Sequence, residues 1–212
     1  MRNALSGLTL ILVIVTLAGC ETVNNRYQVS VNWAKDPNEI KSIGVLEFDW
    51  KPPLMQLQNA SSGSVADAGA VVADMVAAEL LNLGKYAVRE RTDLKRLLEE
   101  HQLQLSDVIA KGDYALIGKF ANVDAIVIGR VAAATVVSCM GIQDVEVSYT
   151  CRCVSTRTGD LVWSIGGDKS VGATSKPQPP YWLRILTEEL VRDLKDKLDH
   201  PPSGAQGAKS GG

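Results

Sequence analysis

The chain has 212 residues, of which 46% are apolar and 22% are charged, and this composition is typical of a packed globular protein rather than of a disordered or collagen-like chain. Lys and Arg number 22 and Asp and Glu number 24, so there is no basic excess that would attract nucleic acid. The chain contains two histidines and four cysteines, which are few residues from which to build metal or nucleophile chemistry. We therefore expect no nucleic-acid partner, and the counts argue against an enzyme.

The first twenty residues are typical of a secretory signal peptide. Arg2 provides a positive start, and an apolar run follows over residues 8–17. A helix that spans a membrane needs about 20 apolar residues, so this run is too short to be one. The leader is expected to be removed on export.

The end of this leader identifies the expected cleavage site. The segment Leu17-Ala18-Gly19-Cys20 resembles the lipobox of bacterial lipoproteins, in which residues equivalent to 1–19 are removed and the new N-terminal cysteine is acylated, commonly with palmitate. The resemblance implies that Cys20 is the lipidation site and that its acyl chains hold the protein on a membrane without spanning it. Bacterial sorting generally retains lipoproteins with Asp after this cysteine in the inner membrane. Because Glu21 stands there, we expect the periplasmic face of the outer membrane.

Composition divides the mature chain into three parts. Residues 20–38 are polar with a weak apolar alternation, which predicts an acylated tether, with an edge strand as the alternative. Residues 200–212 contain two prolines followed by Gly, Ala and Ser, a composition typical of a flexible tail. The folded domain is therefore expected over residues 39–199.

The pattern within this domain predicts an α/β fold with a mixed β-sheet flanked by helices. Strands are expected over residues 43–48, 86–90 and 125–129, and helices over 65–83, 92–100 and 116–121. An alternating strand over 145–153, a turn at 158–160 and a return strand over 161–165 predict a hairpin. A loop over 172–180 and an amphipathic helix over 181–198 complete the domain. The predicted order is β-α-β-α-α-β-β-β-α.

Several segments in this order resemble the CsgG family of curli-secretion lipoproteins. After the first strand and long helix, residues 88–94 match the family pattern V-x-E-R-x-x-L, and residues 123–129 match its buried strand. Residues 152–163 match the hairpin pattern R-x-V-x-x-x-T-G-x-x-x-W. The match covers about residues 42–198. Each short motif is weak alone, but the lipobox and these ordered segments together are not expected by chance.

The resemblance implies a three-layered α/β domain related to LpoB, which activates a peptidoglycan synthase, and to the N-terminal domain of TolB. It also implies a non-enzymatic binding or assembly component of an envelope or secretion complex. The expected partners are envelope proteins or further copies of the same chain.

The curli channel subunit of this family inserts two membrane-spanning hairpins per protomer, and each spanning strand needs about 9 to 11 residues. Residues 129–152 leave room for one soluble hairpin, and residues 165–180 lack apolar alternation. We therefore expect the pore-forming parts to be missing. Two alternatives stay open: a subunit of an oligomeric curli-type channel with strands from residues 131–154, and an LpoB-like activator of peptidoglycan synthesis.

Candidate contact residues lie in the loop after the first strand. This loop combines Trp50, Leu54 and Met55 with two prolines, a composition suited to a protein contact. The alternative is that Trp50 simply covers the core. The sequence contains no catalytic constellation and no phosphate-binding glycine loop. We therefore expect no catalytic residues, no metal, no cofactor and no small-molecule substrate.

Three cysteines follow in the second half of the chain, and export would carry them into an oxidising compartment. Cys151 and Cys153 lie on one strand face with their Cα atoms too far apart for easy bridging. A turn near residues 141–144 would place residue 134 opposite Cys151, so a bridge from Cys139 needs a shift in register. The sequence favours three buried or half-buried thiols, with a disulfide from Cys139 to either partner as the alternative.

Overall fold

The computed structural model describes residues 22–52, 63–89, 91–101, 111–139, 142–173 and 178–203. The strands are β1 (Thr22–Val31), β2 (Ser42–Val45), β3 (Asp49–Trp50), β4 (Gly63–Ser64), β5 (Ala87–Arg89), β6 (Ala125–Cys139), β7 (Ile142–Ser155) and β8 (Leu161–Ala173). The helices are α1 (Ala68–Asn82), α2 (Arg91–Glu100), α3 (Tyr114–Ala121) and α4 (Pro179–Asp199), with a 3-10 turn at Pro37–Glu39. None of the described helices is both long and apolar enough to cross a membrane.

The strands form one mixed sheet in the order β1-β8-β7-β6-β2-β5. β2 is parallel to β5 and β6, whereas β6, β7, β8 and β1 are joined by antiparallel pairing. The short strand β3 pairs with β6 at Arg130 and Val131, and β4 pairs with its second half at Thr135 and Val136. Parallel neighbours require crossover connections, and helices supply them here. The predicted α/β fold with a mixed sheet is confirmed.

Helices cover the two faces of this sheet unequally. α1 and α4 pack on one face over the larger core, which includes Val76, Trp163 and Leu190. α2 and α3 pack on the other face over a smaller core that includes Leu94 and Ile117. This second layer covers only β2, the first part of β6 and the end of β7. Among the described residues, the same face over β1, β8 and most of β7 therefore carries no helix.

The helices predicted from apolar periodicity are confirmed, and so are two of the glycines predicted at turns. Gly84 follows α1 with a φ of 69°, a left-handed conformation that glycine adopts without steric cost. Gly159 has a φ of 74° in the turn between β7 and β8, as the hairpin pattern predicts. The Trp163 side chain that closes this pattern is fully buried.

The N-terminal part of the mature chain is more ordered than the expected tether. Residues 22–31 form β1, and all ten pair with β8. The edge strand considered as the alternative for this segment is therefore present as β1, and the sheet begins at Thr22. β8 likewise continues to Ala173, into the region predicted to be a loop, because β1 and β7 pair with it on both sides.

The register between β6 and β7 corrects the expected position of the cysteines. Gly129, not residue 134, lies opposite Cys151. The hairpin closes earlier than predicted, with Cys139 opposite Ile142, and a bulge shifts the register between Val131 and Ala133. Cys139 therefore lies about ten residues along the ladder from Cys151, roughly 30 Å away, which excludes a disulfide. Cys151 and Cys153 are buried free thiols.

Candidate interaction surface

The sheet face that the second helix layer leaves uncovered is an open groove of about 1470 Å³. Its floor consists of outward-facing residues of β1, β8, β7 and β6, and its wall consists of α2 together with the connection from β2 to β3. The floor side chains used below are those of Arg26, Ser148, Thr150, Arg152, Ser164 and Asp168.

Strict alternation along β7 places these polar side chains on the groove. Val147, Tyr149 and Cys151 face the core, while Ser148 and Thr150 between them line the groove. Gly166 on β8 allows close packing there, because a Cβ at Gly166 would lie 2.7 Å from Thr150 Cγ2. Such period-two alternation is typical of an antiparallel sheet with one wet face.

Apolar side chains form the deep corner of the groove, where β6 meets α2. Leu46, Phe48, Leu98 and Ile128 contribute to its lining and belong to the packed cores. Trp50 is half-buried beside them, and its indole Nε1 is buried with no hydrogen-bond partner among the described residues. An apolar centre beside a polar floor is the usual anatomy of a protein-binding surface.

Arg91 fixes the wall of the groove. Its Nε lies 3.1 Å from Asp74 Oδ1 on α1, and its Nη1 lies 3.2 Å from Glu47 Oε2. The hydrogen bonds to Asp74 are the main cause of the raised pKa of Arg91. Because one planar guanidinium joins α2, α1 and the connection from β2 to β3, the start of α2 is held in place.

Other charges in the groove have no ion-pair partner among the described residues. They are the basic side chains of Arg26, Lys95 and Arg152 and the acidic side chains of Glu99 and Asp168. Arg130 is paired loosely, with its Nε 3.7 Å from Asp49 Oδ2. Unpaired charges of both signs around an apolar corner favour a partner of complementary charge pattern over a purely apolar one.

A second polar cluster joins β1, β8 and α4 on the opposite face of the sheet. Lys169 Nζ lies 2.9 Å from Glu189 Oε2, and the Lys169 side chain is only 4% exposed. The Tyr27 hydroxyl donates a hydrogen bond to the same carboxylate oxygen, and Lys169 Nζ also lies 5.7 Å from the centre of the Trp182 ring. The ammonium is therefore compensated although it is buried.

The pKa shifts of this cluster follow from its burial and hydrogen bonds. Burial, followed by the hydrogen bond to Glu189, raises the pKa of Tyr27. Burial alone would raise the pKa of Glu189, but hydrogen bonds from Tyr27 and Lys169 outweigh it and lower that pKa. These shifts favour the neutral phenol of Tyr27 and the carboxylate of Glu189, and the hydrogen bonds of the cluster fix β1 and α4 to β8.

The residues predicted from sequence have different outcomes in the structure. Trp50 lies in β3, where it packs against the core and lines the groove, and its role as a partner contact stays a prediction. Cys20, Leu54 and Met55 lie outside the described residues. Burial raises the pKa of Cys151 and of Cys153, which makes both thiols poor nucleophiles.

Sequence reasoning missed the groove and both charge clusters. Arg91 belongs to the V-x-E-R-x-x-L pattern, which was a usable signal, but its partner Asp74 lies on another helix. Lys169 and Glu189 are likewise separated along the chain. Among the described residues, no group of three or more His, Cys, Asp or Glu side chains is arranged to hold a metal ion.

The fold is a three-layered α/β domain in which, among the described residues, helices leave part of one sheet face uncovered. The family model described as "Curli production assembly/transport component CsgG" matches residues 24–176, well over half of the 212 residues. The chain therefore belongs to the CsgG family, and the resemblance found in the sequence is confirmed. The family description names assembly and transport components, so the chain belongs to a family of assembly or transport components. The matched range includes most of β1.

The solved structures to which the chain is similar include three bacterial proteins. Lipoprotein GNA1162 from Neisseria meningitidis has a TM-score of 0.50 and 17% identity, covering 74% of this chain and 99% of that one. The PelC dodecamer from Paraburkholderia phytofirmans has a TM-score of 0.49 and 15% identity, covering 83% and 98%. The C-terminal domain of LpoB from Salmonella enterica has a TM-score of 0.37 and 12% identity, covering 61% and 82%. At these identities the likeness to GNA1162 concerns the fold. A search of curated proteins finds no match.

Proposed function

We propose that this protein is an acylated lipoprotein on the periplasmic face of the outer membrane that acts as a non-enzymatic binding and assembly component of an envelope or secretion complex. Residues 1–19 are its signal peptide, Cys20 is its lipid anchor, and the groove binds the partner. That partner is an envelope protein or a further copy of this chain. The uncovered sheet face is the observation that carries the proposal.

The anatomy of the groove supports protein binding over a simple wet face. A wet face needs only small polar side chains, whereas this one has the half-buried Trp50 and, at Arg26, Arg152 and Asp168, charges without an ion-pair partner among the described residues. Aromatic and arginine side chains are the residue types that contribute most to protein interfaces. Their combination in one concave surface favours a folded partner.

The length of the β6–β7 hairpin supports an accessory role over a channel subunit. Val136 and Val145 pair with each other and are 7% and 1% exposed within the core. Beyond this pair only residues 137–144 remain, fewer than the two strands of about 9 to 11 residues each that a spanning hairpin requires. An LpoB-like activator is one specific form of the accessory role, with a peptidoglycan synthase as the partner.

Site-specific photo-crosslinking in living cells tests this function. A photoreactive phenylalanine replaces Arg152, which is exposed in the groove, and a matched variant carries it at Lys195, which is exposed on α4. We expect a discrete covalent adduct from position 152 and none from position 195. An adduct of twice the chain's mass indicates a second copy, and another mass indicates an envelope partner, which a synthase-specific antibody can identify.

Equal yields of adduct at the two positions, or none at position 152 with normal protein levels, would contradict the groove as the binding surface. Acylation is checked separately by mass spectrometry of the mature N-terminus, which should begin at an acylated Cys20. A mature protein that begins elsewhere would contradict the anchor while leaving the groove result standing.

A further inference from the structure

We propose that one end of the sheet rests directly on the bilayer surface. This membrane end consists of the start of β1, the end of β6 and the start of β7, residues 22–24, 136–139 and 142–144. The opposite end, at the turn of residues 156–160, points away into water. The inference rests on the proposed acylation of Cys20 and deepens it by assigning an orientation and a lipid contact.

The strand register brings the start of β1 level with the end of the hairpin. Thr22 is opposite Gly172, Gly172 is opposite Asp144, and Asp144 is opposite Val137. These four residues therefore form one row across the sheet. With neighbouring strands about 4.8 Å apart, Thr22 and Val137 are separated by roughly 15 Å along this row.

The chain that connects the lipid anchor to that row is very short. Cys20 precedes Thr22 by two residues, which span at most about 7 Å even when fully extended. On the other side, Cys139 and Ile142 extend two residues beyond the row, again roughly 7 Å. Because the acyl chains of Cys20 must enter the bilayer, the end of the β6–β7 hairpin must also lie at the bilayer surface.

The side chains at this end suit a lipid boundary. Val137 and Val23 are 45% and 42% exposed although they are apolar. Exposed apolar groups beside a lipid anchor add to its membrane affinity.

The opposite end of the sheet has the reverse character. Lys35 and Asp160 form an exposed ion pair with an Nζ to Oδ2 distance of 3.0 Å, and Arg157 and Glu39 form another at 3.1 Å. The two ends thus differ: the membrane end exposes Val23 and Val137 with one charged side chain, Asp144, whereas the opposite end carries two exposed ion pairs. With the membrane end on the bilayer, the groove opens sideways, parallel to the membrane, where a neighbouring envelope protein can reach it.

Depth-dependent fluorescence quenching on vesicles tests this orientation. The full acylated protein carries Val137→Cys in a Cys139→Ser background, and the matched control carries Thr158→Cys in the same background. Both are labelled with a small environment-sensitive dye and bound to vesicles of phosphatidylethanolamine and phosphatidylglycerol. Cys151 and Cys153 are buried, and their raised pKa values keep them unreactive.

We expect both variants to float with the vesicles, and spin-labelled headgroups to quench the dye at position 137 at least threefold more than the dye at position 158. Floating protein with equal quenching at the two positions overturns the orientation while leaving the anchor intact. Strongest quenching of position 137 by labels at the bilayer centre also overturns it, because the hairpin would then penetrate the membrane. Failure of both variants to float contradicts the acylated anchor, and the inference fails with it.

Discussion

At the scale of single residues, Asp124 shows how one carboxylate sets the geometry of the parallel strands. Asp124 Oδ2 accepts hydrogen bonds from the backbone N–H groups of Lys41 and Ser42 at 3.0 and 2.8 Å and from the Ser42 hydroxyl at 2.9 Å. The Ser42 Oγ in turn accepts from the Asp124 N–H at 3.0 Å. The starts of β2 and β6 are thereby joined before their ladder begins.

The protonation of Asp124 should make folding depend on pH. Burial alone would raise the pKa of this carboxyl, but the hydrogen bonds from Lys41 and Ser42 outweigh it and lower the pKa. A group whose folded pKa is lowered contributes stability above its unfolded value, about 3.9 for Asp, and loses it as the pH falls through the folded pKa. The contribution is therefore complete at neutral pH and disappears in acid.

We predict that Asp124→Asn lowers the free energy of unfolding by about 1 kcal/mol at pH 7, a modest loss because the carboxylate is exposed. The difference from the native chain should shrink as the pH falls towards 3. Urea denaturation at a series of pH values measures it, with Asp144→Asn, at an exposed aspartate of β7, as the control. A difference that stays constant from pH 7 to pH 3 would argue against the pKa assignment.

Gly69 illustrates what the sequence could and could not predict about a single residue. The glycines of residues 63–69 are not a phosphate-binding loop, and that conclusion needed only the absence of the Lys-Ser/Thr ending. The actual requirement at Gly69 is space, because a Cβ there would lie 2.1 Å from the Phe48 carbonyl oxygen. Such a contact between distant residues leaves no local pattern, so the sequence could not reveal it.

At the scale of elements, α4 is fixed to the sheet by polar contacts as well as by its apolar stripe. The stripe was predictable because it repeats with the helical period, and Leu183, Leu186 and Leu190 are fully buried as expected. The pair of Lys169 and Glu189 was not predictable, because an inward-facing lysine interrupts the alternation of β8. Periodicity identifies apolar faces but carries no information on a buried charge.

We predict that Glu189→Gln destabilises the fold by about 3 kcal/mol, because it leaves the Lys169 ammonium buried without a countercharge. Lys169→Met should destabilise the fold much less, since it removes the buried charge and keeps the volume of the side chain. Urea denaturation of both variants at pH 7 provides the comparison. A larger loss for Lys169→Met than for Glu189→Gln would contradict this account of the cluster.

At the scale of the whole molecule, the helix and sheet layers of the domain could be predicted from the sequence. The order of β1 and the extent of the groove could not. Long helices and the central strand follow from apolar repeats that each segment carries within itself. β1 has only a weak alternation through Tyr27, Val29 and Val31, and its order comes from ten residues of pairing with β8. The groove depends on how much of the sheet α2 and α3 cover, a property of the assembled layers that no single segment encodes.

The contribution of β1 leads to a prediction about where the domain begins. A chain that starts at Thr22 keeps the whole sheet, whereas one that starts at Lys35 loses β1 and the burial of Val29. It also loses the hydrogen bonds that Glu189 accepts from Tyr27 and that Lys197 donates to the Val29 carbonyl. Burial of one valine side chain is worth about 1.5 to 3 kcal/mol, and the freed edge of β8 becomes a template for pairing with another chain.

We expect the chain that starts at Thr22, which lacks Cys20 and its acyl chains, to be monodisperse by light scattering, with a single cooperative unfolding transition in urea. The chain that starts at Lys35 should unfold at a clearly lower urea concentration and aggregate at micromolar concentrations. Adding back a synthetic peptide of residues 22–31 should restore part of the lost stability, because pairing with β8 gives this segment its structure. Identical midpoints and equal dispersity of the two chains would mean that the sheet does not need β1, and the domain would then begin near residue 39 after all.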